Sequence, residues 1–85
     1  MKSFSYIIQD PAGVHARPAA ALVLEAKKFS SQLQIESNNK KADLKGILGL
    51  MALGIKIGMK ITVTATGEDE ATAIKAMEVC IKEKL

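Results

Sequence analysis

The sequence has very little of the cysteine and histidine that hold small proteins together through disulfides or metal ions. It contains one cysteine, Cys80, in 85 residues, so an internal disulfide and a cysteine-rich zinc site are both excluded. His15 is the single histidine, so no second imidazole is available as a catalytic base. No serine triad, glycine-rich nucleotide loop or carboxylate cluster for magnesium is present either. We therefore expect no metal, no cofactor and no self-sufficient enzyme.

Aromatic residues and excess charge of one sign are also scarce. Aromatics make up 4% of the chain, tryptophan is absent, and the net charge is only +3. A sheet-based RNA-binding domain needs exposed aromatic residues and a basic surface, whereas Phe4 and Tyr6 share a face with the apolar Ile8. We expect no nucleic-acid partner. The mild basic bias suits phosphate groups or acidic proteins, or it is a solvated surface.

The chain has no long hydrophobic run. The longest, GILGLMALGI, spans ten residues from 46 to 55, and a membrane-spanning helix needs about 20. The start, MKSFSYII, lacks the apolar core and cleavage site of a secretion signal. The predictions are one domain over residues 1–85, a cytoplasmic location and no membrane insertion.

What the chain does contain is a regular series of strand and helix patterns. Alternating apolar residues predict strands over 2–8, 32–37, 40–44 and 60–66, with Asn38-Asn39 as a hairpin turn between two of them. Helical periodicity begins at Ala16 and again after Asp69, which we expect to cap the last helix. The buried stripe of that helix is predicted at Ala71, Ile74, Met77 and Ile81. The order favours an α+β fold with helices on one face of an antiparallel sheet.

Residues 46–54 hold more apolar side chains than a short helix can bury. Leu50 and Leu53, continued by Ile57, form one predicted face. A second face consists of Ile47, Leu48 and Met51. The second face is either an exposed patch that binds a partner or simply part of the core, and the pattern alone leaves both open.

His15 is placed where a helix begins. The unpaired amides of Ala16 and Arg17 would point toward its side chain, and Pro18 is tolerated in a first turn. A helix N-terminus favours anions over cations, so it favours a neutral, nucleophilic imidazole. The Arg17 guanidinium adds donors that fit phosphate oxygens. These features predict a transient phosphoryl acceptor, and the alternative is an ordinary exposed or core histidine.

Three segments resemble one known family. GVHARPAA, KGILGLMALG and GEDEATA occur in the order and spacing of HPr, the small phosphocarriers of the bacterial phosphoenolpyruvate-dependent sugar phosphotransferase system. The resemblance extends over essentially the whole chain. It implies an open-faced β-sandwich, with three helices on a four-stranded antiparallel sheet of order 1-4-2-3.

The resemblance also implies roles for particular residues. His15 would be phosphorylated on Nδ1, Arg17 would steady the phosphoryl group together with Ala16, and Pro18 would set the helix start. Enzyme I would be the donor and enzyme IIA domains of sugar permeases the acceptors, with the carrier acting as a monomer. An apolar docking surface with a basic rim is implied at Ile47, Leu48, Met51, Lys27 and Lys45.

Two positions depart from the family pattern. Many relatives have a regulatory serine where this chain has Gly46, so the serine-dependent control is not expected here. Ala12 stands where a polar residue often reaches the phosphohistidine, which removes one side-chain ligand. An HPr-like regulatory paralogue that docks on control proteins, with little sugar-transport flux, is the alternative function.

Overall fold

The computed structural model describes all residues from 1 to 85. Its elements follow the predicted order of strands and helices. In chain order they are β1 (Lys2–Ile7), α1 (Ala16–Ala26), β2 (Gln32–Ser37), β3 (Lys40–Asp43), α2 (Ile47–Ala52), β4 (Lys60–Thr66) and α3 (Glu70–Lys84).

The four strands form one antiparallel sheet in the order β1-β4-β2-β3. β4 lies in the centre, and its Val63 pairs with Phe4 of β1 on one side and Ile35 of β2 on the other. The β2–β3 hairpin turns at Asn38 and Asn39, whose φ angles of 51° and 63° are both positive. Two positive angles are the requirement of a type I′ turn, which asparagine tolerates. The predicted turn and the predicted fold class are both confirmed.

The helices cover one face of the sheet. Alternate strand residues point toward them and are buried, among them Leu33, Ile35, Ile61 and Val63. Leu22 and Ala26 of α1 complete the same core, which is a single cluster of 18 buried residues. The opposite face of the sheet is polar. On that face, for example, the hydroxyl oxygens of Ser5 and Thr62 lie 3.1 Å apart. The alternation of the strand sequences therefore decides which face the helices cover.

The buried stripe of α3 differs from the prediction at one position. Ala73, Met77 and Ile81 are buried and Ile74 is partly buried, whereas Ala71 is exposed. At about 100° per residue, Ala71 lies some 120° around the helix from Met77 and faces sideways. The prediction for Ala71 was wrong.

The hydrophobic face that was predicted to continue from Leu53 to Ile57 is also interrupted. Leu50 is fully buried and Leu53 partly buried, but Ile57 is exposed. The reason is that α2 ends at Ala52, so helical spacing no longer applies at Ile57.

Asp69 occupies the residue before α3, yet its side chain does not cap that helix. Its carboxylate instead accepts hydrogen bonds from the amides of Ser30 and Ser31, both at 2.9 Å, and from the Ser31 hydroxyl. The amide of Gly67 donates to the Glu70 carboxylate at 3.1 Å. Asp69 therefore joins the loop before β2 to the loop before α3, which corrects the predicted capping role.

Candidate functional site

The backbone before His15 is pressed against the loop that precedes β4. Gly13 has a φ of +66°, and a Cβ placed on it would lie 2.5 Å from the Ile55 carbonyl oxygen. The amide of Val14 donates to that same oxygen at 3.0 Å. A side chain at Gly13 would break this close approach. Glycine therefore places the next residues, including His15, at the start of α1.

His15 is the N-cap residue of α1, in an extended conformation with φ −122° and ψ −178°. Its carbonyl accepts the first helical hydrogen bond, from Ala19 at 2.9 Å, and its imidazole makes no capping bond. The amides of Ala16 and Arg17 therefore have no partner within the helix, and Pro18 has no amide hydrogen to satisfy. The imidazole is 45% exposed. A nucleophilic ring is thus accessible beside free helix donors.

His15 lines a small pocket of about 230 Å³. It brings together three predicted site residues, His15, Arg17 and Pro18, while Ala16 lies exposed beside them. The other lining residues are Asp10, Ala21, Glu83 and Lys84. Asp10, Glu83 and Lys84 were missed by sequence reasoning. Asp10 could have been found from the sequence, because it is an acidic residue in the turn before the histidine. Glu83 and Lys84 could not, because they reach the pocket from the end of α3 through a tertiary contact.

The arrangement suits a group that is negatively charged and transiently bound. Unpaired amides at the positive end of α1 and the guanidinium of Arg17 are donors for phosphate oxygens. The open pocket lets a second protein reach His15. The pocket also contains the carboxylates of Asp10 and Glu83 and the ammonium of Lys84, but no second imidazole, no thiol and no hydroxyl group.

The second apolar face of α2 is on the surface. Leu48 is 84% exposed, and Ile47 and Met51 are 38% and 37% exposed, whereas Leu50 is fully buried. α2 packs beside α1, so this patch lies on the helix next to the one that His15 begins. These three residues are therefore on the surface and are not part of the core; partner binding by this patch stays a prediction.

The two lysines predicted as a basic rim are placed differently from each other. Lys27 is exposed at the end of α1. Lys45 is partly buried, and its ammonium donates to the Phe29 carbonyl at 2.7 Å. Lys45 therefore ties the segment before α2 to the end of the α1 region, and its charge is engaged in that contact.

The two departures from the family pattern have clear structural settings. Gly46 is the N-cap of α2, and a Cβ there would meet only the Asp43 carbonyl oxygen, at 3.8 Å. The fold thus has space for a serine that this chain lacks. Ala12 is exposed and contributes only its amide, which donates to the Asp10 carboxylate at 2.8 Å.

An open groove of about 840 Å³ lies between α1 and α3. It adjoins the His15 pocket, because Ala21, Glu83 and Lys84 line both, but His15 does not line it. It is lined by the exposed Leu24 and Val79 and by Cys80. Burial raises the pKa of the Cys80 thiol, which favours the protonated thiol over the reactive thiolate. The Cys80 side chain is partly buried and packs against the core. The polar lining of the groove includes Lys28, Thr72 and Lys75.

No helix is both long enough and apolar enough to cross a membrane. No group of three or more His, Cys, Asp or Glu side chains is arranged to hold a metal ion.

Known proteins match this chain over nearly all of its length. The family model of the phosphotransferase-system HPr component, described as its phosphorylation site, matches residues 2–83. Phosphocarrier protein HPr of Mycoplasma capricolum is 49% identical over 78 residues, 92% of this chain and 88% of that protein. The solved histidine-containing phosphocarrier protein of Mycoplasma superposes with a TM-score of 0.94 at 45% identity, covering 96% of this chain and 93% of that one.

Fold, site and matches together define the class of small histidine phosphocarriers. The chain belongs to the HPr family, the phosphocarriers of the phosphotransferase system. The curated relatives are named as phosphocarriers, so the regulatory alternative is not favoured.

One further match concerns assembly. An HPr of Thermoanaerobacter tengcongensis, solved as a dimer, is 45% identical and superposes with a TM-score of 0.79 over 99% of this chain and 97% of that one. At least one HPr has therefore been solved as a dimer.

Proposed function

We propose that His15 is the residue that carries the phosphoryl group, received from phospho-enzyme I and passed to enzyme IIA domains of sugar permeases. The observation that carries this proposal is the exposed imidazole at the N-cap of α1, beside unpaired amides and Arg17. In this role the chain is a carrier and not an enzyme, because its partners supply the catalytic groups that the pocket lacks.

The transfer step is a displacement at phosphorus. The lone pair of Nδ1 attacks the phosphoryl group of the donor, the Nδ1–P bond forms, and the bond from phosphorus to the donor breaks. The amides of Ala16 and Arg17 and the Arg17 guanidinium receive the phosphoryl oxygens. Pro18 begins the helix without competing for an acceptor. The same steps in reverse order deliver the group to the acceptor protein.

Partners are proposed to dock on the apolar patch of Ile47, Leu48 and Met51. Its position beside α1 allows a protein bound there to reach His15 at the same time. Lys27 supplies positive charge at its edge, and Lys45 supports the segment before α2 through Phe29. We assign the protein to the cytoplasm as a monomer, with no nucleic-acid partner.

Control by serine phosphorylation is not part of this proposal, because Gly46 has no hydroxyl to modify. Ala12 likewise offers the phosphohistidine no side-chain ligand. The oxygens of the phosphoryl group are therefore held by the helix amides and by the Arg17 guanidinium.

The test is a two-step transfer. The protein is loaded with phosphoenolpyruvate and catalytic enzyme I, separated from enzyme I, and mixed with a purified enzyme IIA domain. The proposal expects an acid-labile phosphoryl group on the protein that moves to the enzyme IIA domain. A loaded protein that no enzyme IIA domain can discharge would contradict the transport role.

A further inference from the structure

The Asp10 carboxylate is held in the turn that leads to His15. Its Oδ1 accepts the amide of Ala12 at 2.8 Å, and its carbonyl accepts the amide of Gly13 at 2.9 Å. The amide of Asp10 donates to the Leu85 carbonyl at 2.7 Å. With one oxygen occupied by the turn, the other, Oδ2, lies 4.0 Å from Nε2 of His15. The carboxylate is thus fixed beside one particular ring nitrogen.

Asp10 is the acidic group that faces the ring. Three other charged residues line the same pocket, namely Arg17 from α1 and Glu83 and Lys84 from the end of α3. Arg17 and Lys84 are cations, and of the two carboxylates only that of Asp10 lies within 4.0 Å of a ring nitrogen. The Asp10 side chain is also only 30% exposed, which limits how far water screens its charge.

We propose that Asp10 is a positioning residue that selects the reactive nitrogen of His15. A carboxylate beside Nε2 favours the neutral tautomer in which Nε2 carries the proton, because an N–H dipole then points at the negative charge. The lone pair of the neutral ring is then on Nδ1. This inference rests on the proposed function, in which that lone pair accepts the phosphoryl group.

The same carboxylate acts after transfer. When the Nδ1–P bond has formed and the bond to the donor has broken, the proton is still on Nε2 and the ring carries a positive charge. Asp10 faces that charge and stabilises the phosphorylated ring. When the group leaves, the electron pair returns to Nδ1 and the ring is neutral again, so no proton has to be exchanged with solvent.

Two substitutions separate the effect of the Asp10 charge from the effect of its hydrogen bond in the turn. In Asp10→Asn the amide oxygen can still accept the Ala12 hydrogen bond, so the turn is kept while the charge is lost. Asp10→Ala removes both. Asp43 is a matched control, because its Oδ1 accepts the amide of Lys45 at 2.8 Å and its carbonyl accepts the amide of Gly46 at 3.1 Å, in the same kind of turn. Asp43→Asn therefore makes the same change in charge and turn chemistry without a partner at His15.

The experiment is ¹⁵N NMR of the His15 ring in the unphosphorylated protein and these three variants, at a pH where the ring is neutral. The ratio of the Nε2–H to the Nδ1–H tautomer is expected to fall about two- to fivefold in Asp10→Asn and Asp10→Ala, and to be unchanged in Asp43→Asn. A ratio in Asp10→Asn equal to that of the unmodified protein would overturn the proposal. A tautomer ratio that changes only in Asp10→Ala would also overturn the proposal, because loss of the turn and not of the charge would then explain the change.

A second measurement follows the phosphorylated form. After loading with enzyme I and phosphoenolpyruvate, hydrolysis of the phosphohistidine is expected to be faster in Asp10→Asn than in Asp43→Asn, and equal rates would overturn this part of the proposal. The tautomer measurement uses no partner protein. If His15 of the unmodified protein took up no phosphoryl group, the proposed function would fail, while the tautomer ratio would still decide the positioning role.

Discussion

At the residue scale, Gly13 is a position where both the backbone conformation and the surrounding atoms oppose a side chain. Its φ of +66° and the contact of a built Cβ with the Ile55 oxygen at 2.5 Å both oppose any side chain. Gly54 has nearly the same φ, +65°, but a Cβ there meets nothing within 4 Å. Gly54→Ala is therefore expected to cost about 1–2 kcal/mol of unfolding free energy from conformation alone. Gly13→Ala is expected to cost about 1–3 kcal/mol more, from the added clash.

Urea unfolding of the two variants measures this difference directly. Because the two glycines have nearly the same φ, subtracting one loss of unfolding free energy from the other isolates the contacts with Ile55 and Lys56. Equal losses for Gly13→Ala and Gly54→Ala would show that the close approach does not constrain the loop before His15.

A second residue-scale prediction concerns pH. The hydrogen bonds from the Ser31 hydroxyl and the Ser30 amide hold the pKa of Asp69 below its ordinary value of 3.8. A carboxyl whose pKa is lower in the folded state stabilises the fold above the pKa of the unfolded chain. That stabilisation is expected to be full at neutral pH and to be lost as the pH falls below 3.8 through the lower folded-state value. Asp69→Asn should therefore be less stable than the unmodified protein at pH 7, and the difference should shrink in acid.

The measurement is the unfolding free energy of both proteins between pH 7 and pH 2. Glu68→Gln serves as the control, since Glu68 is an exposed neighbour of Asp69. A difference between Asp69→Asn and the unmodified protein that stays constant down to pH 2 would exclude the Asp69 carboxylate as the source of this pH dependence.

At the scale of single elements, α2 has two faces with opposite roles. Leu50 is fully buried, so Leu50→Ala is expected to lower the unfolding free energy by about 2–5 kcal/mol. Leu48 is 84% exposed, so Leu48→Ala is expected to change it by no more than about 0.5 kcal/mol. If the exposed face binds partners, Leu48→Ala weakens the interaction with enzyme I while leaving the fold intact.

Thermal unfolding and titration calorimetry with enzyme I provide the two readouts. Unfolding first confirms that Leu48→Ala is folded, and its affinity is then compared with that of the unmodified protein. An unchanged dissociation constant for Leu48→Ala would exclude Leu48 from the docking surface.

The single elements also show how far the fold could be predicted from sequence patterns. The strands and the Asn38-Asn39 turn could be predicted because alternation and turn chemistry are local properties. For α3 the pattern identified the helix but misplaced Ala71, because the inward direction depends on how the helix lies on the sheet. Ile57 was misplaced for a related reason, since helical spacing was extended past the end of α2.

At the scale of the whole molecule, the sequence predicts His15 and Arg17 as site residues but only part of their surroundings. The histidine was recognisable from its place before a helix with Pro18 in the first turn. Glu83 and Lys84 reach the same pocket from the far end of the chain, and local patterns hold no information on such a contact. Asp69 shows the same limit, because its partners at Ser30 and Ser31 lie 39 and 38 residues away.

Assembly is a further property of the whole molecule. β1 and β3 are the edges of the sheet, and Lys2, Lys40 and Lys41 on these strands discourage pairing with another sheet. We therefore expect light scattering to give the molar mass of a single 9.1 kDa chain at micromolar concentration. Twice that mass would place this chain with the dimeric family members.

The central claim is that His15 carries the phosphoryl group, and locating that group after loading tests it most directly. The protein and its His15→Ala variant are incubated with enzyme I and phosphoenolpyruvate, and the products are mapped by mass spectrometry and ³¹P NMR. The imidazole makes no capping bond, so the variant is expected to fold. The predicted result is one acid-labile phosphoryl group on Nδ1 of His15 and none on the variant. A phosphoryl group that persists on His15→Ala, or one found on another residue of the unmodified protein, would contradict the account.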